Sequence, residues 1–80
     1  MNIAICAANY VGRELVEFIS KQEYNIKFAI TCKDDKYEQE IYQILQNYDI
    51  KCYRQLNINS PFFNALMKDN DIDLAFLLWW

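Results

Sequence analysis

The sequence predicts an α/β fold: a three-layer αβα arrangement around a parallel sheet, built as β-α-β-α-β-α-β within one domain, residues 1–80. Three observations carry this. Apolar runs of strand length alternate with segments whose apolar residues recur at helical spacing. The first run, Ile3 to Ala8, is almost unbroken, as in a central strand covered on both faces. No linker, internal repeat or low-complexity tract interrupts the alternation. Right-handed crossovers are expected, and the sheet order taken is 3-2-1-4, which sets the fourth strand beside the first on the side away from the second.

Taken in order, the first strand is Ile3-Ala4-Ile5-Cys6-Ala7-Ala8. From Val11 the apolar positions Val11, Leu15, Phe18 and Ile19 fall at i, i+4, i+7 and i+8, with Glu14, Glu17 and Lys21 on the other side, which predicts an amphipathic helix. Ile26 to Cys32 is β-branched and aromatic enough for a second strand. After the polar link Lys33 to Lys36, a second helix carries the stripe Tyr37, Ile41, Ile44, Leu45 and Tyr48 and ends near Asp49 without a glycine stop. A short third strand covers Ile50 to Arg54. Ser60 is a good N-cap and Pro61 a good first helical residue, because the missing proline N–H is one that a helix start leaves unpaired anyway. Phe62, Phe63, Leu66 and Met67 mark the third helix, and Asp73 to Trp80 the fourth strand. That last strand, rich in Leu, Phe and Trp, needs cover on its faces and its edge.

Composition narrows the function. With 54% hydrophobic, 16% aromatic and 24% charged residues the chain is not disordered, although 80 residues bury only a modest core. Eight Lys+Arg against eleven Asp+Glu give a net charge of −3, which speaks against a nucleic-acid partner, because polyanion affinity comes from clustered cations. No stretch approaches the ~20 apolar residues of a bilayer span, and no basic region with a following apolar run marks the start. A cytoplasmic protein without a membrane partner is expected. Three cysteines, Cys6, Cys32 and Cys52, without Cys-x-x-Cys spacing indicate neither a disulfide framework nor a zinc site. They are expected to be reduced and to pack as small hydrophobes, with a reactive thiol as the alternative. The chain has no histidine, so the commonest general base and metal ligand are both missing. No metal site and no catalytic residue is expected.

Ligands of doubly wound sheets bind at the carboxyl ends of the strands where the strand order reverses. Here that crevice lies between Ala8-Asn9-Tyr10-Val11-Gly12 and Leu78-Trp79-Trp80, and the first turn of the first helix points backbone N–H groups at it. Against the dinucleotide fingerprint Gly-x-Gly-x-x-Gly, the run Ala7 to Gly12 keeps only the third glycine, the one that permits close helix-to-strand packing. Asn9 replaces the glycine that lets a pyrophosphate approach, and suits a smaller ligand that accepts a hydrogen bond. Asp34 lies near the position of a ribose-binding acid, while Asp34 and Asp35 more often serve as helix-capping carboxylates. Tyr10 is either a stacking residue or an exposed turn residue, and Trp79 and Trp80 are either core residues or the wall of a pocket for a flat ring. Arg13 and Glu17 suggest an i, i+4 surface pair, and Lys36, Glu38 and Glu40 a solvated face.

The run Asn2 to Cys6 through Gly12-Arg13-Glu14-Leu15-Val16-Glu17-Phe18-Ile19, the second strand ending in Thr31, and Asp73-Leu74-Ala75-Phe76-Leu77-Leu78-Trp79-Trp80 resemble the N-terminal half of formyltransferases that use 10-formyltetrahydrofolate. That family includes methionyl-tRNA formyltransferase and the sugar-amine N-formyltransferases. The resemblance spans all 80 residues. It implies a Rossmann-like domain and transfer of a formyl group from 10-formyltetrahydrofolate, the co-substrate, to a primary amine. Asn9, Tyr10 and Gly12 would then lie on the acceptor-substrate side, and Trp79 and Trp80 would border the folate pocket. The family's catalytic Asn-x-His stretch and later Asp fall beyond Trp80. The chain is therefore expected to be the N-terminal part of such an enzyme, truncated before its catalytic strand and inactive alone, with the remainder of the enzyme or another chain covering the last strand. Its acidity favours a nucleotide-linked amino sugar over tRNA as the amine substrate. Two other readings are a NAD-binding oxidoreductase fragment and a non-catalytic interaction module whose Phe76 to Trp80 strand completes a partner's sheet.

Overall fold

A computed structural model describes residues 1–79. Four strands and three helices follow in the expected order: β1 (Asn2–Ala7), α1 (Asn9–Ser20), β2 (Asn25–Thr31), α2 (Glu38–Asn47), β3 (Cys52–Tyr53), α3 (Pro61–Asp69) and β4 (Leu74–Leu78). All strand pairs are parallel and the sheet order is β3-β2-β1-β4. This is the Rossmann-like α/β arrangement. Ile5 of the central strand lies opposite Ala29 on one side and Phe76 on the other.

The unbroken apolar run of β1 is explained by burial on two faces. Ile3, Ile5 and Ala7 meet Val16 and Ile19 of α1 and Ile41, Ile44 and Leu45 of α2, whereas Ala4 and Cys6 join Phe28, Ile30 and Leu66 under α3. The sheet order reverses at β1, so α1 and α2 share one face and α3 covers the other.

One expected face is corrected. Of the expected stripe Ile19 is buried, but its buried companions on α1 are Gly12 and Val16, while Val11, Leu15 and Phe18 are exposed. Moving a stripe by one residue turns it about 100° around a helix. The glycine decides the turn, because only that side of α1 can lie flush on the sheet. Arg13 bonds Glu40 and Tyr48 donates its hydroxyl proton to Glu17, so the 11-15-18 flank faces away from α2. The stripe expected for α2 packs as read from the sequence.

Helix ends show how the chain manages with one glycine. After α2 the Asp49 N–H donates to Gln46 O (3.1 Å) and the Ile50 N–H to Leu45 O (2.9 Å), with Asp49 left-handed at φ 56°. After α3, Asp71 (φ 51°) and Ile72 make the same pair of bonds to Lys68 O and Met67 O. These are Schellman closures in which Asp stands where Gly is usual. The Ser60 hydroxyl accepts from the Phe63 N–H, capping α3 ahead of Pro61.

The third strand is shorter than expected. Ile50 N–H is spent closing α2 and Gln55 bends away in a left-handed turn, leaving Cys52 and Tyr53 as regular strand. At the opposite end of the sheet, Asp73 ties β4 to β1, its carboxylate accepting from the Asn2 N–H at 2.7 Å. β4 has a sheet neighbour only on the β1 side, and Leu77 is 61% exposed on it. Cys6 is buried and Cys52 half-buried, and burial pushes both thiols up to about 11, which keeps them protonated and unreactive. Among the described residues no helix is long and apolar enough to cross a membrane.

Candidate functional site

All four strands end at the same edge of the sheet, and each is followed within three residues by a left-handed residue that is not glycine. These are Asn9 (φ 65°) after β1, Asp34 (63°) after β2, Gln55 (57°) after β3 and Trp79 (58°) after β4. An L-residue held there costs on the order of 1–2 kcal/mol, less for Asn and Asp, which bond locally. Such a concentration at the carboxyl edge marks the part of the fold where the backbone is most constrained.

At the β1–β4 reversal, α1 starts directly against the end of β4. The Ala8 N–H donates to Leu78 O at 3.1 Å, and a β-carbon on Gly12 would lie only 2.7 Å from that same oxygen. The Asn9 amide crosses the crevice, its Nδ2 donating to Trp79 O at 3.3 Å. Asn9, Gly12 and Trp79 thus come together. Tyr10 does not join them: its ring meets Tyr37 edge-on with centroids 5.7 Å apart, and a hydrogen bond with Glu14 raises its hydroxyl's pKa. Trp79 is 61% exposed and so is not a core residue, and Trp80 lies outside the described residues.

The backbone N–H groups at the start of α1 are not all free. Asp35 Oδ2 accepts from the Asn9 N–H at 3.0 Å and its Oδ1 from the Tyr37 N–H at 3.3 Å, joining the β1–α1 and β2–α2 turns. A carboxylate already on that helix end repels a second anion there. Neither of the two neighbouring acids caps α2, whose N-cap is Tyr37 without a side-chain bond; Asp35 instead closes the turn before it and holds the first N–H of α1, while Asp34 supplies the left-handed turn.

Two expected surface groups are corrected. Arg13 pairs with Glu14 and Glu40, and Glu17 with Lys21, because the α1–α2 contact draws Arg13 across to the neighbouring helix. Glu38 does not belong to a solvated face. It is 5% exposed, accepts from the Thr31 hydroxyl at 2.6 Å, and is gripped by Arg54 through Nε (2.9 Å) and Nη2 (2.5 Å). The Arg54 guanidinium also lies 4.1 Å from the centre of the Tyr42 ring. Its hydrogen bonds hold the Glu38 carboxyl below the usual range, with Thr31 adding to them and burial opposing. The Gln55 N–H completes the cluster by donating to Thr31 Oγ1 at 2.9 Å. Only the adjacency of β2 and β3 brings these groups together, so no spacing along the chain signals them.

Among the described residues no three His, Cys, Asp or Glu side chains are grouped to hold a metal ion. At the β1–β4 reversal the Asn9 amide and N–H are both bonded within the protein, to Trp79 O and Asp35 Oδ2, beside the exposed Trp79. No protein-family model and no curated protein matches this chain.

Proposed function

We propose that this chain is the substrate-loop half of a cytoplasmic formyltransferase that moves a formyl group from 10-formyltetrahydrofolate to a primary amine, with a nucleotide-linked amino sugar as the acceptor. The observation that carries the reading is the Asn9 bridge. An amide bonded to Trp79 O across the strand reversal, beside an N–H already held by Asp35, stands where a pyrophosphate would approach, which supports a more compact ligand over a dinucleotide. The resemblance of the Asn2–Ile19 run, the second strand ending in Thr31 and the Asp73–Trp80 run to the family supplies the chemistry. Proton transfer from the amine and stabilisation of the tetrahedral oxyanion fall to the Asn, His and Asp of that family, none of which corresponds to a residue of this chain. A net charge of −3 favours an amino sugar over tRNA.

The test is incubation of the protein as its own cell makes it with 10-formyltetrahydrofolate and a panel of nucleotide-linked amino sugars, followed by mass spectrometry of the sugar. An N-formylated product supports the reading, and its absence across the panel defeats it. Titration with NAD, followed by tryptophan fluorescence, is expected to be flat; saturable binding would transfer the proposal to the oxidoreductase alternative. The free side of β4, with Leu77 exposed, favours the interaction module as a second reading. A soluble monomer that unfolds in one cooperative step would remove it.

A further inference from the structure

A pocket of about 350 Å³ opens between the β2–α2 and β3–α3 loops, lined by Cys32 and Lys33 on one side and residues 55–59 on the other. It lies at the carboxyl edge of β2 and β3, away from the Asn9 and Trp79 crevice. Leu56 and Ile58 form its apolar part and pack against the Phe28, Ile30 and Leu66 core. Gln55 and Asn59 add amide side chains, each with a donor and an acceptor side by side, and Asn57 adds one whose oxygen is taken up within the loop. Lys33 contributes a compact cation.

The pocket is built without help from a ligand. Gln55 is held left-handed by its N–H bond to Thr31 Oγ1, and Thr31 is anchored in turn by the buried Glu38 and Arg54 pair. A glutamine gains no local compensation for that backbone conformation, so the surrounding bonds hold it there. Residues 57–60 are likewise closed on themselves: the Asn59 N–H donates to Asn57 Oδ1 at 2.9 Å and the Ser60 hydroxyl to Asn57 O at 2.7 Å. With its Oδ1 engaged, Asn57 is left with its amide N–H groups to offer.

We propose that this pocket binds a nucleoside monophosphate, its base lying on Leu56 and Ile58 with its edge read by the Gln55, Asn57 and Asn59 amides, and its phosphate held by Lys33. Amide side chains match the paired donor and acceptor of a base edge, and a lysine ammonium suits a phosphate. The volume is at the small end of ligand pockets, which run from about 300 to 1,000 Å³, and is too small for a dinucleotide. The proposal does not depend on the formyl-transfer reading, since none of its residues lines the Asn9 crevice.

Cys32 in the lining is a built-in reporter, and the buried Cys6 is an internal control. The 80-residue chain is alkylated with iodoacetamide in the presence of AMP, GMP, UMP or TMP, the matching nucleosides, or inorganic phosphate, and each cysteine is followed by peptide mass spectrometry. Occupancy at ten times the dissociation constant slows Cys32 labelling about tenfold. At least one monophosphate is expected to do this, its nucleoside more weakly and phosphate not at all. Lys33→Gln should weaken that protection about tenfold, the worth of one charge-assisted bond. The side-chain amide resonances of Gln55, Asn57 and Asn59 should shift in the same titration. Unchanged labelling and unchanged amides with all four monophosphates overturn the proposal, as does protection by inorganic phosphate equal to that by the nucleotides.

Discussion

The Leu78 carbonyl oxygen would lie 2.7 Å from a β-carbon built on Gly12, closer than any side chain tolerates. That oxygen also accepts from the Ala8 N–H, so it cannot turn aside without a lost hydrogen bond. Gly12→Ala gains up to about 1 kcal/mol in helix propensity. Overpacking against backbone costs about 1–3 kcal/mol and wins. The variant should unfold at lower urea than the parent, with a net loss of about 1–2 kcal/mol, and an unchanged midpoint would mean that α1 does not press on β4.

The orientation of α1 is tested by neighbouring residues. Ile19 is 8% exposed and Phe18 is 62% exposed. Ile19→Ala should cost about 2–5 kcal/mol, as for buried aliphatic truncations, and Phe18→Ala should stay within about 0.5 kcal/mol. Equal losses in denaturant melts would restore the 11-15-18 stripe as the buried face.

The Glu38 carboxyl is held below its ordinary value of 4.5, chiefly by its hydrogen bonds from Arg54. A depressed carboxyl pKa contributes stability that is fully present above the unfolded value and is lost as pH falls through the folded one. Glu38→Gln should therefore destabilise the protein at pH 7 by about 1–3 kcal/mol, reduced from the full cost of a buried pair because Arg54 is partly hydrated. The gap between parent and variant should close in acid below that range. A gap independent of pH, measured by denaturant midpoints, would mean that shape and not charge holds Glu38.

Asp49 stands at the left-handed position that closes α2, with φ 56°. Asp49→Gly removes the steric cost and returns part of it as unfolded-chain entropy, for a net gain of about 0.5–1 kcal/mol. Asn47→Gly, two residues earlier and inside the helix, should instead lose about 0.5 kcal/mol or less relative to its parent, since Asn is itself a poor helix former. Thermal melts giving both changes the same sign would count against the Schellman closure.

On the formyl-transfer reading, Trp79→Ala in the full-length enzyme should weaken folate binding about tenfold, equivalent to about 1.4 kcal/mol, while leaving the circular dichroism of the fold unchanged. Unaltered folate affinity would remove Trp79 from the site.

Much of the fold was legible because its signals are local or follow from chain handedness. The unbroken Ile3 to Ala8 run marked a central strand, the helical spacing of Ile41, Ile44 and Leu45 marked the buried face of α2, and the Ser60-Pro61 pair marked the start of α3. The order β3-β2-β1-β4 agrees with the expected one, although crossover handedness decides only the face each helix covers and not where β4 is placed. Gly12 could be seen as a close-packing residue, but not that it would turn α1 about 100° from its most apolar stripe. Periodicity reports which residues share a face, whereas the face that is buried depends on the shape of what it meets. The site was less legible for a similar reason. Asp35 reaches the Asn9 N–H across 26 residues, and Arg54 reaches Glu38 across 16, distances along the chain that only parallel pairing of β1, β2 and β3 closes. The sequence by itself determined the alternation of strands and helices and the Ser60-Pro61 start of α3, since these arise from near neighbours. Tertiary structure decided where β4 is placed, that Glu38 is buried, that Asp35 takes the Asn9 N–H, and that Tyr10 turns to Tyr37, because a charge is buried or spent only when a partner from another element stands within hydrogen-bond reach.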